Sequence, residues 1–216
     1  MATLVLPERK IHIDAFGLDV DGVLRDTGYH IYEATLKALK ELGANRTPTF
    51  EHFVRGQGGD LVTFYKECGV ELTKEEIYAS YDKYVPSHDA EKPFEDVVGF
   101  LLALTTRNVK VFVVSGHPTE KLQRWFEEYN FHEHIHHLQG GSRDKAVHIR
   151  AACEHLEVSP RATCYVGDWG NDMKAAVLAR TVPIGDTRTY ATRKILIEAD
   201  AQYAVDHLSE LVGIIR

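Results

Sequence analysis

Cysteine is scarce in this chain, and long apolar runs are missing. Cys68, Cys153 and Cys164 are odd in number and widely spaced. They form neither a zinc-ligand spacing nor a disulfide framework, so they read as buried or neutral thiols in a reducing compartment. No stretch approaches the roughly 20 apolar residues of a membrane span, and residues 1–10 carry no long apolar run. A basic block is missing too. With 25 basic against 32 acidic side chains the formal net charge is -7, which disfavours nucleic-acid binding through the phosphate backbone. There is no internal repeat and no low-complexity segment. What remains is a chain of 216 residues, 44% apolar, enough for one core domain with a small insertion. A soluble cytoplasmic protein, monomeric or homodimeric, is the expectation.

The stretch Leu18-Asp19-Val20-Asp21-Gly22-Val23-Leu24 puts two acids two positions apart, with a glycine directly after them. Residues 11–18 are apolar enough for a strand, although Asp14 and Gly17 are poor strand formers. Side chains two apart on a strand share a face, so both carboxylates would emerge together at the strand end. Like charges that close resist joint ionisation in a dry site unless a cation intervenes. Gly22 permits a sharp turn straight after them.

Beyond Asp26 the pattern turns helical. Ile31, Thr35, Ala38, Leu39 and Leu42 fall on one helical face, and Gly43 ends the run. Arg55-Gly56-Gln57-Gly58-Gly59 reads as a loop or tight turn, and 61–68 as a short helix. Thr73-Lys74-Glu75-Glu76 has the spacing of a capping box and opens a helix that Pro86 stops. No strand is expected between about 28 and 90. Elements then alternate: helix 94–107, a nearly continuous apolar strand at 109–114 of the kind covered on both faces, a helix opened by Pro118, helix 142–156, strand 162–166, helix 173–179, strand 182–184, helix 188–199 and strand 203–205. That order predicts an α/β fold, a doubly wound (Rossmann-like) parallel sheet core with a small all-helical cap inserted after the first strand. The expected core is 1–27 with 91–216, and the expected cap is 28–90.

In open α/β sheets, ligands bind outside the carboxyl ends of strands, and three further stretches fall at such places. Ser115-Gly116 follows strand 109–114. Its hydroxyl and backbone N–H groups suit a phosphoryl oxygen at the next helix start, although a plain turn with a helix cap is the simpler account. Lys145 lies near a helix start, where a cation opposes the helix dipole. A nearby aspartate and phosphate would hold it there; an ordinary surface lysine is the alternative. Arg143 and Lys110 are weaker candidates for that part. Asp168 and Asp172, in Gly167-Asp168-Trp169-Gly170-Asn171-Asp172, again stand at a strand end. They make a hard-oxygen site suited to Mg²⁺, whereas helix capping explains Asn171 or Asp172 but not both acids. His132, His134, His136 and His137 form a separate cluster. On a strand, positions 132, 134 and 136 would share a face and could bind a transition metal; partly exposed positions flanking a short strand are the preferred reading.

These stretches, in this order and at these boundaries, resemble the motifs of the haloacid dehalogenase superfamily. Asp19-Val20-Asp21-Gly22-Val23 is similar to its Asp-x-Asp-Gly-(Thr/Val), and Ser115 to its Ser or Thr after a strand. Asp144-Lys145-Ala146-Val147-His148-Ile149 fits its Asp-Lys-x-x-x-Ile, and 167–172 its Gly-Asp-x-x-x-Asp. The resemblance spans about 13–211. It takes in 183–185 and 199–206, the latter looking like the tail of phosphoglycolate-phosphatase-like members. Two departures stand out. Arg180-Thr181 replaces the usual Ala-Gly, and His117-Pro118 follows Ser115-Gly116 where the family varies. Neither is expected to touch the chemistry.

The resemblance implies a Mg²⁺-dependent phosphatase acting on a small phosphorylated metabolite through an aspartyl-phosphate. Asp19 would be the nucleophile and Asp21 the general acid and base. Asp19, the backbone carbonyl of Asp21, and Asp168 would hold the metal, with Asp172 acting through metal-bound water or by orienting Lys145. Ser115, Gly116 and Lys145 would bind the phosphoryl group, and the cap residues His30, Arg55 and Gln57 could read the leaving group. Asp26-Thr27-Gly28-Tyr29-His30 also looks somewhat like β-phosphoglucomutase, which makes a phosphomutase the nearest rival. A dehalogenase is disfavoured because those members lack the second acid of the first motif. A non-catalytic binding module would not need both Asp19 and Asp21.

Overall fold

The computed structural model describes residues 2–57, 61–84, 91–189 and 191–216. The chain opens on a hairpin that the sequence pattern did not reveal. β1 (Ala2–Val5) pairs antiparallel with β2 (Lys10–Ile13), and Asp14 separates β2 from β3 (Ala15–Leu18). The single strand expected over 11–18 is therefore two, and only the second leads to the acids. Gly17, a poor strand former by itself, has a tertiary reason. A Cβ there would lie 2.4 Å from the Phe112 ring and 2.7 Å from the Tyr165 ring, because both neighbouring strands lean aromatic rings across β3.

β3 joins β4 (Lys110–Val114), β5 (His137–Gln139), β6 (Thr163–Gly167), β7 (Val182–Asp186) and β8 (Tyr203–Val205) in a six-stranded sheet of order β5-β4-β3-β6-β7-β8. Every pairing in it is parallel, so helical crossovers must cover both faces. On one face lie α5 (Val97–Thr106), α6 (Thr119–Glu128) and α10 (Leu208–Ile214). There Phe100, Leu104, Trp125 and Leu211 pack with Phe16, Leu18, Val113 and Val166. On the other lie α7 (Lys145–His155) and α8 (Gly170–Ala179), whose Ile149, Ala152 and Ala176 pack with Ala15, Phe112, Val114 and Tyr165. Successive residues of one strand enter opposite clusters, which is why 109–114 reads as an unbroken apolar run.

Between β3 and α5, the described residues carry helices and no strand: α1 (Gly28–Glu41), α2 (Phe50–Gln57), α3 (Leu61–Glu67) and α4 (Lys74–Tyr81). Leu39, Phe53, Phe64, Tyr65 and Ile77 make a second core that also takes in Met173 of α8 and Leu196 of α9 (Arg193–Glu198). The helical insertion is thus docked on the sheet domain through apolar contact. At α4, Thr73 and Glu76 form the expected capping box, the Thr73 N–H donating to Glu76 Oε2 at 2.9 Å and the Glu76 N–H to Thr73 Oγ1 at 3.3 Å.

Several boundaries differ from the sequence pattern. The loop expected at 55–59 is helical through Gln57; Phe50, Phe53 and Val54 bury one side of α2, and that burial overrides the weak helix propensity of glycine. Gly58, Gly59 and Pro86 lie outside the described residues. α7 starts at Lys145 rather than 142, because Asp144 caps it by accepting from the Val147 N–H at 3.3 Å. His132–His134 is a 3-10 turn and β5 begins only at His137, so the histidines share no strand face. His134 Nδ1 lies 3.0 Å from Thr105 Oγ1, His136 Nδ1 accepts from the Val111 N–H at 3.1 Å, and the His137 ring lies 4.8 Å from that of His155.

Candidate active site

β3 and β6 are neighbours at the centre of the sheet, with Leu18 opposite Val166. The residues just past their ends, Asp19 and Asp168, therefore emerge side by side, and Asp172 joins them from the first turn of α8. One carboxylate oxygen of each lies within 4.8 Å of the others. All three residues are buried, at 4%, 0% and 1% exposure. Lys145, the first residue of α7, sets its Nζ 2.7 Å from Asp19 Oδ2 and 2.6 Å from Asp172 Oδ1. This is the anionic partner that its unfavourable place at a helix start requires.

Charge in the cluster does not balance. Burial pushes the Asp19 and Asp168 carboxyls above the usual carboxylate range; Lys145 opposes this, while Asp172 adds to it in both cases. Burial works against the Lys145 ammonium, yet Asp172 and Asp19 hold its affinity for the proton well above the ordinary lysine range. Asp168 Oδ2 accepts from Thr189 Oγ1 at 3.1 Å, whereas its Oδ1 is buried with no hydrogen-bond partner among the described residues. A buried carboxylate oxygen left bare is costly. An all-oxygen donor set with one orphaned atom and surplus negative charge fits a hard divalent cation such as Mg²⁺. Gly22 is needed beside it. Its φ is +77°, and a Cβ there would stand 1.9 Å from Asp168 Oδ2.

Asp21 belongs to a different set of contacts. Arg25 Nε donates to its Oδ1 at 3.0 Å and Thr27 Oγ1 donates to the same oxygen at 2.9 Å. His117 Nε2 stands 2.8 Å from its Oδ2. His117, expected to stand apart from the chemistry, is thus in contact with one of the candidate acids. The turn after β4 carries the ring to Asp21: the His117 N–H donates to Ser115 Oγ at 3.3 Å, and the His117 carbonyl accepts from the Gly141 N–H at 2.6 Å. Nothing in the spacing of the sequence signals a contact between residues 21 and 117, nor the supporting contacts of Arg25, Thr27 and Thr189.

The two acid centres open on one cavity of about 780 Å³, whose sheet-side wall includes Asp19, Asp21, Gly116, His117, Lys145 and Asp172. The insertion contributes Ile31, Leu61, Tyr78 and Tyr81. Ser115 is wholly buried and is not among the lining residues. His30 pairs with Glu91 at 2.7 Å and Arg55 with Glu51 at 2.8 Å, and neither lines the cavity; the side chain of Gln57 is outside the described ones. Arg143 does reach the wall. It bonds both oxygens of Asp82 at 2.7 and 2.8 Å and lies 4.0 Å from the Tyr78 ring centroid, tying the loop before α7 to the end of α4. Lys110 instead donates to the Leu156 carbonyl.

A doubly wound parallel sheet with buried carboxylates converging at its carboxyl edge, beneath a helical insertion, is an α/β protein with a candidate active site where open sheets bind their ligands. The haloacid dehalogenase-like hydrolase family matches residues 18–183, and the chain belongs to that family. A phosphoglycolate phosphatase of Photobacterium profundum is 24% identical over 229 aligned positions, covering 94% of this chain and 96% of that one. Among solved structures, a haloacid dehalogenase-like hydrolase from Streptococcus pneumoniae superposes with a TM-score of 0.74 at 21% identity, covering 93% and 97% of the two chains. A β-phosphoglucomutase from Clostridium difficile superposes with a TM-score of 0.68 at 17% identity, covering 92% and 93%. Among the described residues no helix is long and apolar enough to cross a membrane.

Proposed function

We propose that this hydrolase is a Mg²⁺-dependent phosphatase that releases phosphate from a small phosphomonoester through an aspartyl-phosphate on Asp19. The observation that carries the reading is the separation of two acids two positions apart into two environments facing one cavity. Asp19 is paired with Lys145, whereas Asp21 is held by Arg25, Thr27 and His117. Two carboxylates with different surroundings are what a nucleophile and an acid–base group require. Phosphatases among the relatives support the same class. Residues 28–90 are read as the cap over residues 1–27 and 91–216.

Asp19, Asp168, Asp172 and the backbone carbonyl of Asp21 are the groups that would hold Mg²⁺, which when bound offsets the charge on phosphoryl oxygens. Asp19 attacks phosphorus in line, and the ester bond to the leaving oxygen breaks as Asp21 protonates that oxygen. Asp21 then takes a proton from the water that cleaves the Asp19 acyl phosphate. Lys145 orients Asp19 and neutralises one phosphoryl oxygen. The Gly116 N–H holds another from the turn after β4, which the Ser115 hydroxyl braces by accepting from the His117 N–H. The test is phosphate release from a panel of phosphometabolites and p-nitrophenyl phosphate with Mg²⁺. Turnover that is lost in EDTA and restored by Mg²⁺ is expected, and no turnover of any member refutes the reading. Conversion of β-glucose 1-phosphate to glucose 6-phosphate, primed by the bisphosphate, would replace it with a phosphomutase.

A further inference from the structure

Asp21 has to hold a proton toward a leaving oxygen and later receive one from water, and both tasks depend on where its carboxyl plane points. Its Oδ1 is anchored twice, by Arg25 at 3.0 Å and Thr27 at 2.9 Å. Both anchors are buried, Arg25 at 3% and Thr27 at 0% exposure, and neither is part of the cavity wall. Rotation about the Cβ–Cγ bond swings both oxygens together, so the anchors at Oδ1 and a contact at Oδ2 hold the carboxyl plane from opposite sides. At Oδ2 stands His117 Nε2, 2.8 Å away. His117 is 9% exposed and lines the cavity beside Gly116 and Asp21. Its own position is secured through its backbone, by the Ser115 hydroxyl and the Gly141 N–H. The loop behind it is packed so closely that a Cβ on Gly140 would lie 2.5 Å from the His117 carbonyl oxygen. The ring is therefore presented to Asp21 by a braced turn.

We infer that His117 is a positioning residue for the acid–base carboxyl: from the phosphate-binding turn it fixes Oδ2 of Asp21 toward the leaving oxygen. This rests on the phosphatase reading above and goes beyond it in giving that turn a second duty. The consequence is selective. Protonation of the leaving oxygen matters most when that oxygen is a poor leaving group such as an alkoxide, and little when it is a stabilised phenolate. General acid catalysis contributes roughly 10²- to 10⁴-fold where it is needed. A residue that only supports the fold would lower turnover of both substrate types alike.

The experiment measures kcat/KM, which reports steps up to departure of the leaving group, for wild type, His117→Leu and His117→Gln. The substrates are p-nitrophenyl phosphate and the best alkyl phosphomonoester of the metabolite panel, with Mg²⁺ present. In His117→Leu the alkyl-to-aryl ratio of kcat/KM is expected to fall about 10-fold or more, mainly through kcat. His117→Gln, which keeps an N–H of similar reach, is expected to recover most of that ratio. An unchanged ratio in His117→Leu, or no recovery in His117→Gln, overturns the inference while leaving the phosphatase reading intact. If His117→Leu fails to fold, His117→Gln compared with His117→Asn decides it: the longer amide must keep a higher ratio than the shorter one, and equal ratios overturn the inference. Wild type inactive on every phosphomonoester would instead remove the phosphatase reading.

Discussion

At the residue scale, the centre is a set of buried carboxylates that are uncomfortable without a cation. Asp19→Asn keeps the shape of the side chain and leaves Lys145 its bond to Asp172. Turnover should fall at least about 10³-fold, as when a nucleophile is removed, while the thermal midpoint is not lowered; substantial residual turnover would contradict the nucleophile assignment. Mg²⁺ should raise the thermal midpoint of the wild type, since a ligand that binds only the folded state at 100 times its Kd contributes about 2.7 kcal/mol. Asp168→Asn should abolish most of that rise, because the orphaned Oδ1 of Asp168 is the atom most in need of a cation. Scanning fluorimetry in EDTA and in Mg²⁺ measures both, and an equal rise in the variant would place the ion elsewhere. Asp19, Asp21, Ser115, Lys145, Asp168 and Asp172 were legible as candidates because each falls at a predicted strand end or helix start. His117 was not. It meets Asp21 through a contact across 96 positions of chain, from 21 to 117, that no local pattern encodes.

At the element scale, β3 is short, and its job is to deliver two acids to the centre of the sheet. Gly17 looks like a flaw in a strand until the rings of Phe112 and Tyr165 are seen over it. Gly17→Val should therefore destabilise the fold by about 1–3 kcal/mol or more, as overpacking does, despite the better strand propensity of valine; urea unfolding that matched wild type would show that the rings move aside freely. Some elements that the sequence pattern misjudged were too short to read, and others have non-local reasons. The β1–β2 hairpin has strands of four residues, too few for periodicity to announce. The end of α2 is helical because Phe53 and Val54 are buried in the core of the helical insertion, against the glycine in its last turn. By contrast β4 and the α4 capping box were legible, since one is a continuous apolar run and the other a local hydrogen-bond pattern.

At the scale of the whole molecule, Arg188 and Asp96 together tie three distant segments. Arg188, 5% exposed along its side chain, bonds Asp186 at the end of β7 and Asp96 at the start of α5, while Asp96 also accepts from the Ser209 N–H of α10 at 3.1 Å. Burial pushes the Asp186 carboxyl up to about 6, with Arg188 opposing the shift. The folded protein therefore binds the Asp186 proton more tightly than the unfolded chain does. The stability this contributes is full below the ordinary carboxylate range near 4 and is lost as the pH rises through about 6. Asp186→Asn should flatten that part of the pH profile, and urea melts of both proteins between those limits measure it; parallel profiles would refute the assignment. The amino-acid sequence alone determined the kind of elements, their alternation and the acids at their ends, because apolar periodicity, capping and turn residues act over a few neighbours. Tertiary structure decided which side chains meet: the convergence of Asp19, Asp168 and Asp172, the grip of His117 on Asp21 and the rings across Gly17. Strand register and helix docking bring together residues far apart in the chain, and distances of that kind are written in no local stretch of it.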